Sequence, residues 1–366
     1  MFAKYYSQKI RHFFTLLLLL VSTEIKAQID SIADFKTSLN GYIETYYLFD
    51  FANPSDHLRP NFFVSHHRHN EFNLNLGMLR FAAENKKVKT AFALMAGTYS
   101  NSNMAKEPGL LKNIYEANVS LRLNPDKELW LQMGIFNSHI GFESAIGLDC
   151  YTLSRSVAAD NSPYFETGAR LNYKSKNTKW DLSFLVLNGW QNIQRLNNNS
   201  MPSFGTQVTY NSKTMTLNSS NYFGNEGTDK LPIWRYFHNF YAIKKIGVKS
   251  KLIIGLDLGL QQYPIKSNLI YWYSPQIVYR YQIASKFEIA GRVEQYFDKD
   301  ATVTAPIKNA QLNLIGMSVN LDFKILNNAL FRMEFKQLYN KDQIFETNKT
   351  LTNFNSSVAA AIAVKF

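Results

Sequence analysis

A closed, all-β antiparallel barrel that crosses a membrane is the fold this sequence predicts. Three observations carry the prediction: apolar and polar residues alternate with a period of two along most of the chain, the connections between these runs are short and long by turns, and the final run ends on an aromatic residue. Composition agrees. Aromatic residues make up 14% of the 366 positions, with 27 Phe and 21 Tyr, yet mean hydropathy is only -0.24 and 19% of residues are charged. After the first 21 positions no apolar run reaches the ~20 residues that a membrane-spanning helix needs. A barrel shows no such run, because lipid-facing and lumen-facing residues alternate and average out.

The alternation is clearest where one face is charged. Leu252, Ile254, Leu256, Leu258 and Leu260 are interleaved with Ile253, Gly255, Asp257 and Gly259, and Ile315, Met317, Val319, Leu321 and Phe323 with Gly316, Ser318, Asn320 and Asp322. Tyr115, Ala117, Val119 and Leu121 oppose Glu116, Asn118, Ser120 and Arg122; Phe331, Met333 and Phe335 oppose Arg332, Glu334 and Lys336. A row of charges in mid-strand needs water or partners on its own side. Read this way, strands fall at 39–51, 69–83, 86–98, 113–124, 127–137, 163–175, 178–190, 203–211, 213–224, 234–244, 248–262, 269–283, 286–298, 309–324, 329–340 and 353–366. That is sixteen strands, within a range of 14–18.

A soluble sheet also has one apolar and one wet face, so the connections decide. The links at 84–87, 124–127, 175–178, 211–213 and 325–328 are short, whereas those at 52–68, 99–112, 138–162, 191–202, 225–233, 299–308 and 341–352 are long. Short periplasmic turns alternating with long extracellular loops are the habit of outer-membrane barrels. In the last run Val358, Ala360, Ile362, Val364 and Phe366 share a face, and a lipid-facing strand ending in Phe is similar to the assembly signal that the barrel assembly machinery reads. Trp180, Trp234, Tyr236, Tyr241, Tyr271, Trp272, Tyr273, Tyr279 and Tyr281 lie towards strand ends, where aromatic girdles sit, although some of them line the lumen instead.

The N-terminus reads as a secretion signal. Lys4, Lys9 and Arg11 precede the apolar stretch from Phe13 to Val21, and cleavage is expected after Ala27. Gln28 follows, not the Cys of a lipoprotein. Residues 28–38 are then a short periplasmic segment and 39–366 the barrel. Without the leader 36 basic residues stand against 27 acidic ones; they are dispersed, which fits a solvated surface and not nucleic-acid binding. A single cysteine, Cys150, rules out an internal disulfide framework.

Several stretches resemble the OmpL-like family of outer-membrane β-barrel porins. They are Gly41-Tyr42-Ile43-Glu44-Thr45-Tyr46-Tyr47, the run His69 to Leu76, Gly134 to Ser144, Ser154-Arg155-Ser156 and Asn161-Ser162-Pro163-Tyr164. The likeness runs from Gly41 to Phe366 and is densest up to Tyr173. It implies a barrel porin of unassigned solute preference. A barrel of about sixteen strands leaves an aqueous channel, so diffusion of small hydrophilic solutes across outer-membrane lipid, with no cofactor, is the leading expectation, and a homo-oligomer is compatible with it.

The stretch 138–162 is the longest connection and follows the fifth strand, a position from which general porins, by analogy, fold a loop into the lumen. Glu143, Asp149, Arg155 and Asp160 would then bring charge of both signs to a constriction, and Glu116, Arg122, Glu166, Arg170, Arg292 and Glu294 would line the facing walls. His66, His67, His69 and Glu71 form a metal-like cluster whose simpler reading is a polar loop-to-strand junction, so no metal is assigned. Ser138-His139 raises the question of a barrel hydrolase, but no nucleophile elbow, phosphate loop or acid pair surrounds it. The rival to diffusion is a surface-binding or adhesion barrel with a plugged lumen.

Overall fold

The structure, a computed structural model, describes residues 35–262, 268–304, 310–347 and 350–366. The expected leader 1–27 and residues 28–34 lie outside these. Sixteen strands close the barrel: β1 (Lys36–Asp50), β2 (Phe72–Glu84), β3 (Val88–Ala96), β4 (Ile114–Arg122), β5 (Glu128–Asn137), β6 (Phe165–Lys174), β7 (Trp180–Leu187), β8 (Ser203–Asn211), β9 (Met215–Asn225), β10 (Trp234–Ile246), β11 (Ser250–Gln262), β12 (Leu269–Ala284), β13 (Phe287–Asp298), β14 (Leu312–Leu326), β15 (Ala329–Asn340) and β18 (Phe354–Lys365). The hairpin β16 (Phe345–Thr347) and β17 (Thr350–Thr352) stands apart within the connection 341–353, where the sequence reading placed only loop. Every strand of the barrel runs antiparallel to both its neighbours.

The alternation fixes which face each residue takes. Ile315, Met317, Val319, Leu321 and Phe323 are exposed on the outer surface while Gly316, Ser318, Asn320 and Asp322 are buried inside, and β11 and β15 follow the same rule. Trp180, Tyr236, Tyr271, Tyr279 and Tyr281 stand outward; Trp234 stacks on Phe223 and Tyr273 on Phe297. Trp272 instead points inward against Phe237, and Tyr241 meets the ring of Phe142 from the connection 138–164. One residue departs from its expected face. A β-bulge shifts the β3/β4 register between Ala93 and Leu94, so Tyr115, expected on the outer face with Val119, turns into an interior cluster with Met95 and Tyr99.

Closure is made by β1 and β18, paired from Tyr42↔Lys365 to Asp50↔Ser357. The Gly41 amide donates to the Phe366 carbonyl at 2.7 Å and the Phe366 amide to the Gly41 carbonyl at 3.0 Å, which extends the seam to the last residue. The Phe366 ring lies on the outside over Gly41, in the space a Cβ there would take. β1 starts at Lys36, three residues before the expected boundary, because Lys36 to Ser38 pair with Glu84 to Ala82 of β2. At β2 the correction runs the other way: residues 69–71 are not strand, since His66 and Asn70 adopt positive φ and break the extended backbone.

Deleting Phe366, or Phe366→Asp, is expected to leave export intact and to lower the yield of folded barrel, read as heat-modifiable migration on gels. The facing rule gives a second test. Val319→Arg, on the outer face, should cost about 2–4 kcal/mol near the midplane, whereas Thr209→Arg, facing the wetter part of the lumen, should cost less than about 1 kcal/mol by denaturant titration in lipid.

Candidate functional site

A polar inner row would be open to water in an empty barrel, yet Arg292, Arg332, Asn320 and Ser220 are 0% to 1% exposed. What covers them is residues 138–164, which run inside the barrel and bond to its walls. His139 accepts at its carbonyl from Gln207 (2.9 Å) and Ser220 (2.7 Å), and the Gly141 amide donates to Asn239 at 3.1 Å. On the far wall the Leu153 amide donates to Asn320 at 2.9 Å, the Ser154 amide to Glu334 and the Val157 amide to Glu294 at 2.7 Å. The short 3₁₀ turn Gly147–Asp149 reaches the periplasmic part of the seam: Gly147 donates to the Tyr42 hydroxyl (2.9 Å) and accepts from Arg332 (2.7 Å), while Asp149 pairs with Lys365 at 2.6 Å. A side chain at Gly147 would collide with Glu44, so the approach requires glycine.

Charge holds this segment in place. Arg292 donates to Thr152 and to the Ser154 carbonyl, each at 2.9 Å, and pairs with Glu143, Glu294 and Glu334 at 3.3 to 3.4 Å; Lys336 pairs with Glu294 at 2.9 Å. Ions taken from water repay their desolvation only when so surrounded. Arg155, fully buried, donates to the backbone carbonyls of Ser144 (2.6 Å) and Ala145 (3.0 Å) and also to that of Leu153, so it ties the segment to itself and does not face open water. Glu143 accepts from Ser156, whose hydroxyl also caps the one-turn helix α1 (Val157–Asp160) at the Ala159 amide. Asp160 accepts from Ser65 and Tyr164, bringing the connection 51–71 onto the same plug.

The remaining wall residues divide by depth. Glu166 is buried beside His139, whereas Glu116 pairs with Arg80, Arg122 with Glu128, and Arg170 donates to the Asn137 carbonyl while lying over the Phe136 ring. Sequence reasoning missed the residues that anchor the segment most directly, namely Tyr42, Asn239, Asn320, Arg332, Glu334 and Lys336. The charged inner row of β15 was visible as alternation, but nothing in it says that a loop fills the space opposite.

Two candidate chemistries dissolve in this geometry. Ser138 and His139 both bond to Glu166, at 3.3 and 2.9 Å, and the second ring nitrogen of His139 faces the Asn221 carbonyl at 2.8 Å. Both ring nitrogens thus face oxygen acceptors, and neither is placed as a base for the Ser138 hydroxyl. His66, His67, His69 and Glu71 diverge: His66 turns to Glu44, His67 to Ser102, His69 takes the Asp50 amide, and Glu71 pairs with Arg68 at 2.7 Å.

A sixteen-strand closed barrel with an aromatic outer band, a polar inner face and an inward loop after the fifth strand defines a channel-forming protein of the outer membrane. Solved structures share the architecture. The outer-membrane channel DcaP of Acinetobacter baumannii superposes with a TM-score of 0.61 at 10% identity, over 91% of this chain and 98% of that one. OmpT of Vibrio cholerae in its trimer form gives 0.58 at 8% over 91% and 99%, and Salmonella typhi OmpF in complex with daunomycin 0.56 at 11% over 91% and 98%. Identities this low speak for the fold alone, and no curated protein matches the chain in sequence. The family model described as beta-barrel porin-2, OmpL-like, matches residues 36–366, and the chain belongs to that family of porins. It is an outer-membrane protein that works by passive diffusion.

Removing Arg292 leaves Glu143, Glu294 and Glu334 together without their shared cation. Arg292→Met is expected to favour release of 138–164 by about 3–5 kcal/mol while the strands stay paired. Cys150, buried in this segment and the sole cysteine, reports it: maleimide labelling should accelerate by about a hundredfold or more, with unchanged β-sheet circular dichroism.

Proposed function

We propose that residues 138–164 set the narrowest section of the channel, and that small hydrophilic solutes pass between this segment and the wall formed by β10, β11 and β12. The observation that carries this is a narrow polar cleft there, about 10 Å³ and so water-sized in this structure, lined on the wall by Asn239, Asp257 and Gln276 and on the loop by Glu143 and Tyr164. At this wall the loop is held by the Gly141–Asn239 bond and the Phe142–Tyr241 contact, whereas on the facing wall it is bonded through Asn320, Glu334 and Glu294. A constriction lined by amides and carboxylates favours hydrated polar solutes over apolar ones.

Below the loop, cations outnumber their partners. Lys251 and Lys245 face the periplasmic half of the lumen along with Arg280 and Lys324, and the two last share Glu288. This supports anion preference in the lower vestibule, opposed at the cleft by Glu143 and Asp257. The same reading places the barrel among outer-membrane lipid, assigns its insertion to the barrel assembly machinery through Phe366, and gives it no catalytic activity. A homo-oligomer is in keeping with it. The rival reading, a surface-binding barrel, draws on the extent to which the two connections 51–71 and 138–164 fill the extracellular half.

Deleting 146–158 should raise single-channel conductance in planar bilayers, and deleting the exposed loop tip 228–231 should not. Asp257→Asn removes one anion from the cleft and should move the zero-current potential towards anions, more so at low salt, where the Debye length grows from ~10 Å at 0.1 M to ~30 Å at 0.01 M. Unchanged conductance and selectivity in both variants would place the route elsewhere; absence of any conductance from folded protein would favour the surface-binding reading.

A further inference from the structure

The mouth of the barrel holds a second feature that the constriction does not use. Between the connection 51–71 and the hairpin β16–β17, over the extracellular ends of β1 and β18, lies a pocket lined by Asp50, Arg59, Phe62, Ile344, Phe345 and Asn355. Three of these residues carry hydrogen-bonding atoms that the protein buries and leaves unanswered. Nε and Nη1 of Arg59 have no acceptor, and Oδ2 of Asp50 and Oδ1 of Asn355 have no donor. The other oxygen of Asp50 is occupied: it accepts from the Ala52 amide at 2.9 Å and from Asn355 Nδ2 at 2.8 Å. That bond fixes the Asn355 amide, so its carbonyl oxygen and the free oxygen of Asp50 form a pair of acceptors. Arg59 makes no ion pair among the described residues; its guanidinium lies over the Phe63 ring at 4.0 Å.

Buried polar groups without partners are costly, and a charged group left so is costlier still. The pocket therefore presents two halves of opposite demand: unmet donors with positive charge on Arg59, and unmet acceptors on the Asp50 carboxylate and the neutral Asn355 amide, with the exposed Asp56 and Glu346 at its rim. A pure anion satisfies Arg59 and is repelled by Asp50. A pure cation meets the reverse, and an uncharged sugar neutralises neither. Beside the two halves, Phe62, Ile344 and Phe345 supply an apolar wall.

We propose that this pocket is a capture site for a small zwitterion that carries a carboxylate and an ammonium close together with an apolar side group, the chemistry of a free amino acid. The carboxylate takes the unpartnered N–H groups of Arg59, the ammonium donates to Asp50 and Asn355, and the side group meets Phe62, Ile344 and Phe345. As a step in transport the proposal rests on the channel reading; as a binding site it stands without it.

Titration calorimetry on the folded barrel in detergent micelles tests it, with leucine as probe and leucinamide and N-acetylleucine as the analogues that lack one charge each. Leucine should bind saturably and both analogues at least roughly 10-fold more weakly. Arg59→Gln and Asp50→Asn should each weaken leucine by a similar factor, and Arg59→Lys should retain part of the affinity. Folding of each variant is checked by heat-modifiable migration, and the analogue series on the unaltered protein needs no variant. Absence of saturable leucine binding, or equal binding of all three probes, overturns the site. Conductance measured without solute is separate: binding with no conductance would count against the channel alone, and conductance with no binding against this site alone.

Discussion

Hydrocarbon offers no partner to a backbone amide, and each one left unpaired there costs several kcal/mol, so a strand that crosses a membrane must be paired on both edges. For this chain the demand falls hardest on β1 and β18, the two strands that have a sequence neighbour on one side only. Their pairing, carried to the final residue by the reciprocal bonds of Gly41 and Phe366, turns a sheet into a cylinder. The period of two follows from it: once closed, every residue is committed to lipid or to the interior, and a shift by one position would place Asp322, Glu334 and Arg332 in the hydrocarbon.

The interior obeys a second constraint. Charges on the inner face are stable in water or in company, and where residues 138–164 displace the water they must bring the company with them. They do so largely with backbone amides and carbonyls, offered to Glu294, Glu334, Arg292 and Arg332. In the periplasmic half, where only the turn Gly147–Asp149 and the Tyr151 ring reach, inner-face residues such as Lys251, Arg280 and Lys324 stay half-exposed. One inner face thus serves as scaffold above and as vestibule below.

Much of this architecture can be read from the residues themselves. Alternation at Leu252 to Leu260 and at Ile315 to Phe323 gives facing correctly, because the two solvents on either side of the wall select opposite chemistry at every step. Strand ends at the loops are less sharp, since pairing stops for reasons that lie on another strand; β7 ends at Leu187 and not at residue 190. Tyr115 was misplaced because a bulge resets the count, and residues 69–71 because two positive φ angles at His66 and Asn70 break the run. The charges of 138–162 were visible, but their partners are set by where the loop descends, and Arg155, placed at an open eyelet by analogy, proves to be the clasp of the loop's own backbone. The pocket at Asp50 and Arg59 leaves no mark in sequence, being assembled from residues at opposite ends of the chain.

The deepest turn of the inner loop carries an implication for how the molecule is built. Gly147 and Asp149 are held by Tyr42 on the first strand and Lys365 on the last, with Arg332 of β15 beside them. These strands come together only when the cylinder shuts, so the binding place of the loop does not exist beforehand. These last bonds of the loop therefore form no earlier than closure itself, after which the junction between the chain's two ends is bridged from within and harder to pull apart.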